Sequence, residues 1–166
     1  MQRALLLLAV LPVFAIAQSV DVEFDQEVDF SKFKTFAIND GQLNSKNPAL
    51  NNDLVRKQIQ AEIRRRLSEK GLEETTRGQN LNVRFSLGSS QKKQVDVYPA
   101  GWRGMGRRRV VTNYTEGTLI LDLRDTSQKA LVWRAIVEEK GDAKHIDSKI
   151  GDMVKKPFEQ YPPKKK

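Results

Sequence analysis

The chain has 166 residues, 39% hydrophobic and 30% charged, a length and balance that give one globular domain and exclude a membrane bundle or a disordered tract. Its formal net charge is +8, a sign that attracts anions, and with no cysteine it can hold no disulfide, thiolate-bound metal, thiol nucleophile or N-terminal cysteine lipid anchor.

Gln2 and Arg3 form a short positive start, Ala4 to Phe14 an apolar core and Ala15-Ile16-Ala17 a small-x-small cleavage pattern. Residues 1–17 therefore read as an export signal cut after Ala17. The apolar run is shorter than the about 20 residues that span a bilayer, and Pro12 interrupts its end. Losing Arg3 with the leader leaves a mature charge of +7. The expected location is the periplasm or the medium, where the anions on offer are lipid headgroups, lipopolysaccharide phosphates and cell-wall polymers rather than nucleic acid.

Val20, Val22 and Phe24 alternate with acidic residues as a half-buried first strand. Asp29 to Lys34 reads as a turn or short 3₁₀ piece, and Thr35 to Ile38 as a second short strand. Asn39 to Asn51 has the composition of an exposed connection. A helix then follows, capped by Asn51 or Asn52, with Val55, Ile59, Ile63 and Leu67 on one face and Leu54 widening the stripe. Gly71 and Leu72 fit a Schellman ending that returns to Leu67. The other side of the helix carries Arg56, Lys57, Gln60, Arg64 and Arg65, a solvated face that also offers cations to an anion.

Leu81 to Leu87 alternates cleanly as a strand, and Val95 and Val97 mark a shorter one. Pro99 to Arg109, with Gly101, Gly104 and Gly106, reads as an irregular hairpin end. A long strand runs from Val110 to Leu123, with Gly117 as a bulge or close-approach point; Asp125 to Lys129 turns the chain into a strand around Trp133. Leu131, Trp133, Ala135 and Val137 are expected on one face of that strand, with Val132 on the other. Ile146, Ile150, Met153 and Val154 mark a second helix starting near Asp142 and ended or kinked by Pro157. Residues 161–166 read as a basic extended tail after a domain spanning 18–160. The expected fold is α+β: a two-layer sandwich, an antiparallel sheet of five or six strands with two helices packed on one face.

Several segments in order carry a family resemblance: Asp29-Phe30-Ser31-Lys32-Phe33-Lys34-Thr35-Phe36, the helix end Lys70-Gly71-Leu72, Glu116-Gly117-Thr118-Leu119 with Asp122, Leu131-Val132-Trp133-Arg134 and Tyr161-Pro162-Pro163. On these the chain resembles the DUF4136 family of small bacterial exported envelope proteins and lipoproteins, which has no agreed biochemical activity. The resemblance brings no catalytic residue, and Gln18 stands where lipoprotein relatives have their cysteine. The shared phenylalanines and Trp133 are expected in the core.

No catalytic constellation emerges. His145 is the single histidine, with Asp142 and Asp147 as ordinary neighbours, and no G-x-S-x-G elbow or phosphate-binding glycine pattern is present. The sequence thus points to no enzyme, no cofactor and no metal. Trp102, Arg103, Arg107, Arg108 and Arg109 are the candidate contact residues, an aromatic ring and four guanidiniums suited to phosphates at a lipid or lipopolysaccharide surface. The expected function is non-enzymatic binding of anionic envelope components or an envelope protein. The alternatives are an uncharacterised hydrolase and an exported nucleic-acid-binding protein.

Overall fold

The computed structural model describes residues 18–100 and 106–164. Strand β1 (Ser19–Phe24) leads through a 3₁₀ turn at Phe30–Lys32 to β2 (Thr35–Leu43), and helix α1 (Asp53–Glu69) follows. Next come β3 (Glu73–Glu74), β4 (Leu81–Ala100), β5 (Gly106–Asp125), β6 (Ala130–Gly141) and helix α2 (Ala143–Glu159).

The helices begin and end where local chemistry directs. Asn52 caps α1 by accepting from the Leu54 and Val55 amides, and Asp142 caps α2 by accepting from that of His145. At the end of α1, Gly71 takes φ +83°; its amide reaches Ser68 O at 2.9 Å while that of Leu72 reaches Leu67 O at 3.0 Å, the two bonds of a Schellman ending. Pro157 does not stop α2, which runs on to Glu159. Leu54, expected to widen the apolar stripe, is instead 77% exposed while the next residue, Val55, is buried: one step turns about 100° around the helix and takes Leu54 off the inward face.

The described strands pair in the order β1-β6-β5-β4-β2-β3. The α+β class holds, but the sheet is mixed rather than antiparallel, because β2 runs parallel to both β4 and β3. The cause is the connection: α1 carries the chain back to the starting end of β2, and strands joined that way must run parallel. The segment after Ile38, expected to be a loop, continues β2 to Leu43 across a register shift between Ile38 and Asp40. Asn39 and Asn44 there donate to Asn82 Oδ1 and Ser86 Oγ. Cross-strand hydrogen bonds thus hold a stretch with little apolar patterning.

Across the sheet, Val20, Val22 and Phe24 face the same way as Val137, Ala135 and Trp133, then Leu119, Leu121 and Leu123, then Leu87, Phe85 and Val83. This surface joins Val55, Ile59, Ile63 and Leu67 of α1 and Ile146, Ile150, Met153, Val154 and Phe158 of α2 in one core. Trp133 stacks on Phe158 at 5.3 Å between ring centroids, Tyr161 meets both rings edge-on, and Phe30 meets Tyr161 edge-on in turn. Tyr161 is only 2% exposed, so the residue expected to open the tail is part of the core.

One further expectation changes, and the two alternatives at Gly117 resolve to close approach. The β5–β6 ladder shifts register between Leu123 and Arg124, and Val132 is buried although Leu131 was expected inward. Gly117 pairs with Ser89 and Glu139 without a bulge; a Cβ there would lie 2.8 Å from Ile146 Cγ2, so its role is the close approach of α2.

Candidate binding surface

Strands β4 and β5 have 20 residues each and pair from Leu81 opposite Asp125 out to Ala100 opposite Gly106. β6 accompanies β5 only as far as Thr115, which lies opposite Gly141. Beyond that point Lys92–Ala100 and Gly106–Tyr114 form a two-stranded ribbon, which at about 3.3 Å per residue reaches roughly 30 Å past the three-stranded part. Arg107, Arg108 and Arg109, expected in an irregular hairpin end, therefore sit on a strand, opposite Pro99, Tyr98 and Val97. Trp102 and Arg103 lie outside the described residues.

Strand alternation sorts the ribbon into two faces. One bears Val95 opposite Val111 and Val97 opposite Arg109, with Lys93 on the inner side and Arg107 on the outer. The other bears Tyr98 opposite Arg108, Asp96 opposite Val110, Gln94 opposite Thr112 and Lys92 opposite Tyr114. Val95, Val97 and Val111 are 51%, 51% and 52% exposed, and Tyr98 55%.

Most cations of α1, by contrast, have carboxylate partners. On α1, Arg65 meets Glu62 at 2.8 Å, Arg66 meets both Glu62 and Glu69, and Arg64 meets Glu74 at 2.7 Å. The hydrogen bond to Glu62 raises the Arg65 pKa further. Arg56 lies 3.8 Å from Asp53 and also donates to the carbonyl of Gly41. The basic helix face is thus largely neutralised by its own neighbours. Among the described residues Arg107, Arg108 and Arg109 take part in no ion pair, while Lys92 reaches Glu116 at 3.5 Å at the ribbon's base. Three successive arginines without an ion pair among the described residues thus stand together on the outer part of the ribbon.

Asp122, Asp125 and Glu139 have structural partners. Asp122 receives two 2.7 Å hydrogen bonds from Arg134, a bidentate pair that raises the guanidinium's pKa. Asp125 is 3% exposed at the β5–β6 turn, where it accepts from the Ser127 amide and hydroxyl and pairs with Lys32 at 3.3 Å. Burial pushes the Asp125 carboxyl up, but those contacts outweigh it and its pKa lies below the ordinary 3.8. His145 Nε2 lies 3.1 Å from buried Glu139 Oε1, and the His145 ring packs over Gly141. No group of three or more His, Asp or Glu among the described residues could hold a metal ion. A surface hollow of about 660 Å³ beside β2 is lined by Ala37, Ile38, Asn39, Glu74, Thr75 and Thr76; its one carboxylate, Glu74, already pairs with Arg64. No described helix is long and apolar enough to cross a membrane.

Fold and surface together define a two-layer α+β domain with a protruding basic β-ribbon. Residues 20–163 match the model of the family described as Domain of unknown function (DUF4136), so the chain belongs to that family. No curated protein matches the sequence. Among solved structures, a PDZ domain protein from Parabacteroides distasonis is similar at 17% identity and TM-score 0.60, over 90% of this chain and 37% of that one. The chain thus spans little more than a third of that protein, and the likeness shows the fold alone. The PelC dodecamer from Paraburkholderia phytofirmans is 11% identical with TM-score 0.49, over 86% of this chain and 95% of that one.

Proposed function

We propose that this protein is an exported, non-enzymatic component of the bacterial envelope that binds anionic envelope material through the outer half of the β4–β5 ribbon. The observation that carries the reading is the contrast in charge balance. The arginines of α1 are held by carboxylates, whereas Arg107, Arg108 and Arg109 have none among the described residues and project from the body of the fold. Guanidiniums left unpaired on a protruding element favour phosphate, which they engage with paired N–H donors. The leader-like residues 1–17 support placement in the periplasm or medium, with cleavage expected after Ala17.

The test is cosedimentation of the exported protein with lipopolysaccharide and with phosphatidylglycerol vesicles across a salt series. Binding should weaken steeply with salt, and the triple change Arg107→Gln, Arg108→Gln, Arg109→Gln should remove it without altering the melting temperature. Binding by the triple variant equal to wild type would sink the proposal. Salt-sensitive binding to DNA but to neither envelope probe would replace it with nucleic-acid recognition.

A further inference from the structure

The ribbon carries an observation that charge does not explain. Lysines and arginines along an unaccompanied pair of strands discourage edge-to-edge pairing with other chains. That role needs no apolar side chains, yet Val95, Val97 and Val111 stand about half exposed together on one face, past the point where β6 ends and the core closes. Val95 and Val111 are direct cross-strand neighbours, and Val97 is the next residue on the same face. A cation stands at each end of this cluster: Lys93 on the inner side, and Arg109 then Arg107 toward the tip.

We propose that this valine face docks on an anionic bilayer, with the valines entering the boundary between headgroups and acyl chains while Lys93, Arg107 and Arg109 hold the surrounding phosphates. The proposal rests on the anion-binding reading above and names its source as a lipid surface rather than a soluble phosphate polymer. The chemistry selects that source because a bilayer offers both features at the spacing the ribbon presents: a plane of phosphates and, directly beneath, hydrocarbon. A polyphosphate or teichoic-type polymer satisfies the cations and leaves the valines in water. Long cationic side chains can lie along the interface with their heads at the phosphates, so insertion of the valines and pairing of the arginines do not compete.

The experiment compares three forms of the exported protein, with the N-terminus verified on each. They are wild type, Val95→Ser/Val97→Ser/Val111→Ser, and the triple arginine-to-glutamine variant, each titrated with phosphatidylglycerol-containing vesicles and with inorganic polyphosphate in solution. The expected result is at least tenfold weaker vesicle binding by the serine variant with polyphosphate binding unchanged, while the glutamine variant loses both. Unchanged vesicle binding by the serine variant, or wild-type binding to polyphosphate but not to vesicles, overturns the membrane proposal and leaves anion binding standing. If the glutamine variant binds both probes like wild type, the anion-binding reading itself fails. Sedimentation velocity supplies a further outcome: a wild-type dimer that the serine changes dissociate would make a second copy the occupant of the valine face and overturn the bilayer.

Discussion

Replacing Tyr161 by Phe isolates a buried hydroxyl from the ring that carries it. The ring meets Phe30, Trp133 and Phe158 edge-on at 5.8, 6.0 and 6.3 Å and is 2% exposed. Its hydroxyl has no hydrogen-bond partner among the described residues, and burial pushes its pKa well above the ordinary 10. A buried polar group without a partner costs about 1–3 kcal/mol, whereas each lost dispersion contact returns only about 0.1–0.2 kcal/mol. Tyr161→Phe should therefore leave stability at neutral pH unchanged or raise it by up to about 2 kcal/mol, a rise of at most about 8 °C in melting temperature for a domain of this size. The alkaline limb gives a second readout. The folded-state pKa is raised, so the phenol's contribution is fully present below the unfolded value near 10 and is lost as pH climbs toward the raised folded value. Wild type should lose up to about 1.4 kcal/mol per pH unit more than the Phe variant once above about pH 10. Urea unfolding of both proteins from neutral pH to about pH 11 measures the difference. A Phe variant more than about 1 kcal/mol less stable at neutral pH would mean that the hydroxyl makes a hydrogen bond, and an unchanged gap above pH 10 would refute the titration argument.

Asp125 predicts the opposite limb. Its lowered pKa makes its contribution present above 3.8 and lost as pH falls through the folded value, so Asp125→Asn should flatten the acid limb of an unfolding profile. Removing the acceptor altogether in Asp125→Ala should cost about 1–3 kcal/mol in urea unfolding, because the Ser127 amide and hydroxyl lose their partner. Gly117→Ala places a methyl against Ile146 and should destabilise by about 1–3 kcal/mol; in a double-mutant cycle Ile146→Ala should cost less in that background than in wild type, and strict additivity would contradict the contact.

What the chain determines locally was readable from it. The four-residue spacing of Val55, Ile59, Ile63 and Leu67 defines α1, and Gly71 ends it because the backbone turns left-handed there. The alternation from Leu81 to Leu87 and the Trp133 strand likewise follow from period two, and the run of arginines from 107 to 109 announces itself as charge. Tertiary structure decided the rest. The polar run after Ile38 becomes strand because β4 supplies its hydrogen bonds from more than 40 residues away, and α1 makes that pairing parallel. The two strand-like fragments before the hairpin fuse into one 20-residue strand, and the strand after it lengthens to 20 residues, once each backs the other. Tyr161 leaves the tail for the core because the aromatic cluster of Phe30, Trp133 and Phe158 closes around it. Composition counts cations without pairing them. Only the folded distances separate the arginines of α1, held by Glu62, Glu69 and Glu74, from the three on the ribbon, because charge pairing depends on separation in space rather than along the chain.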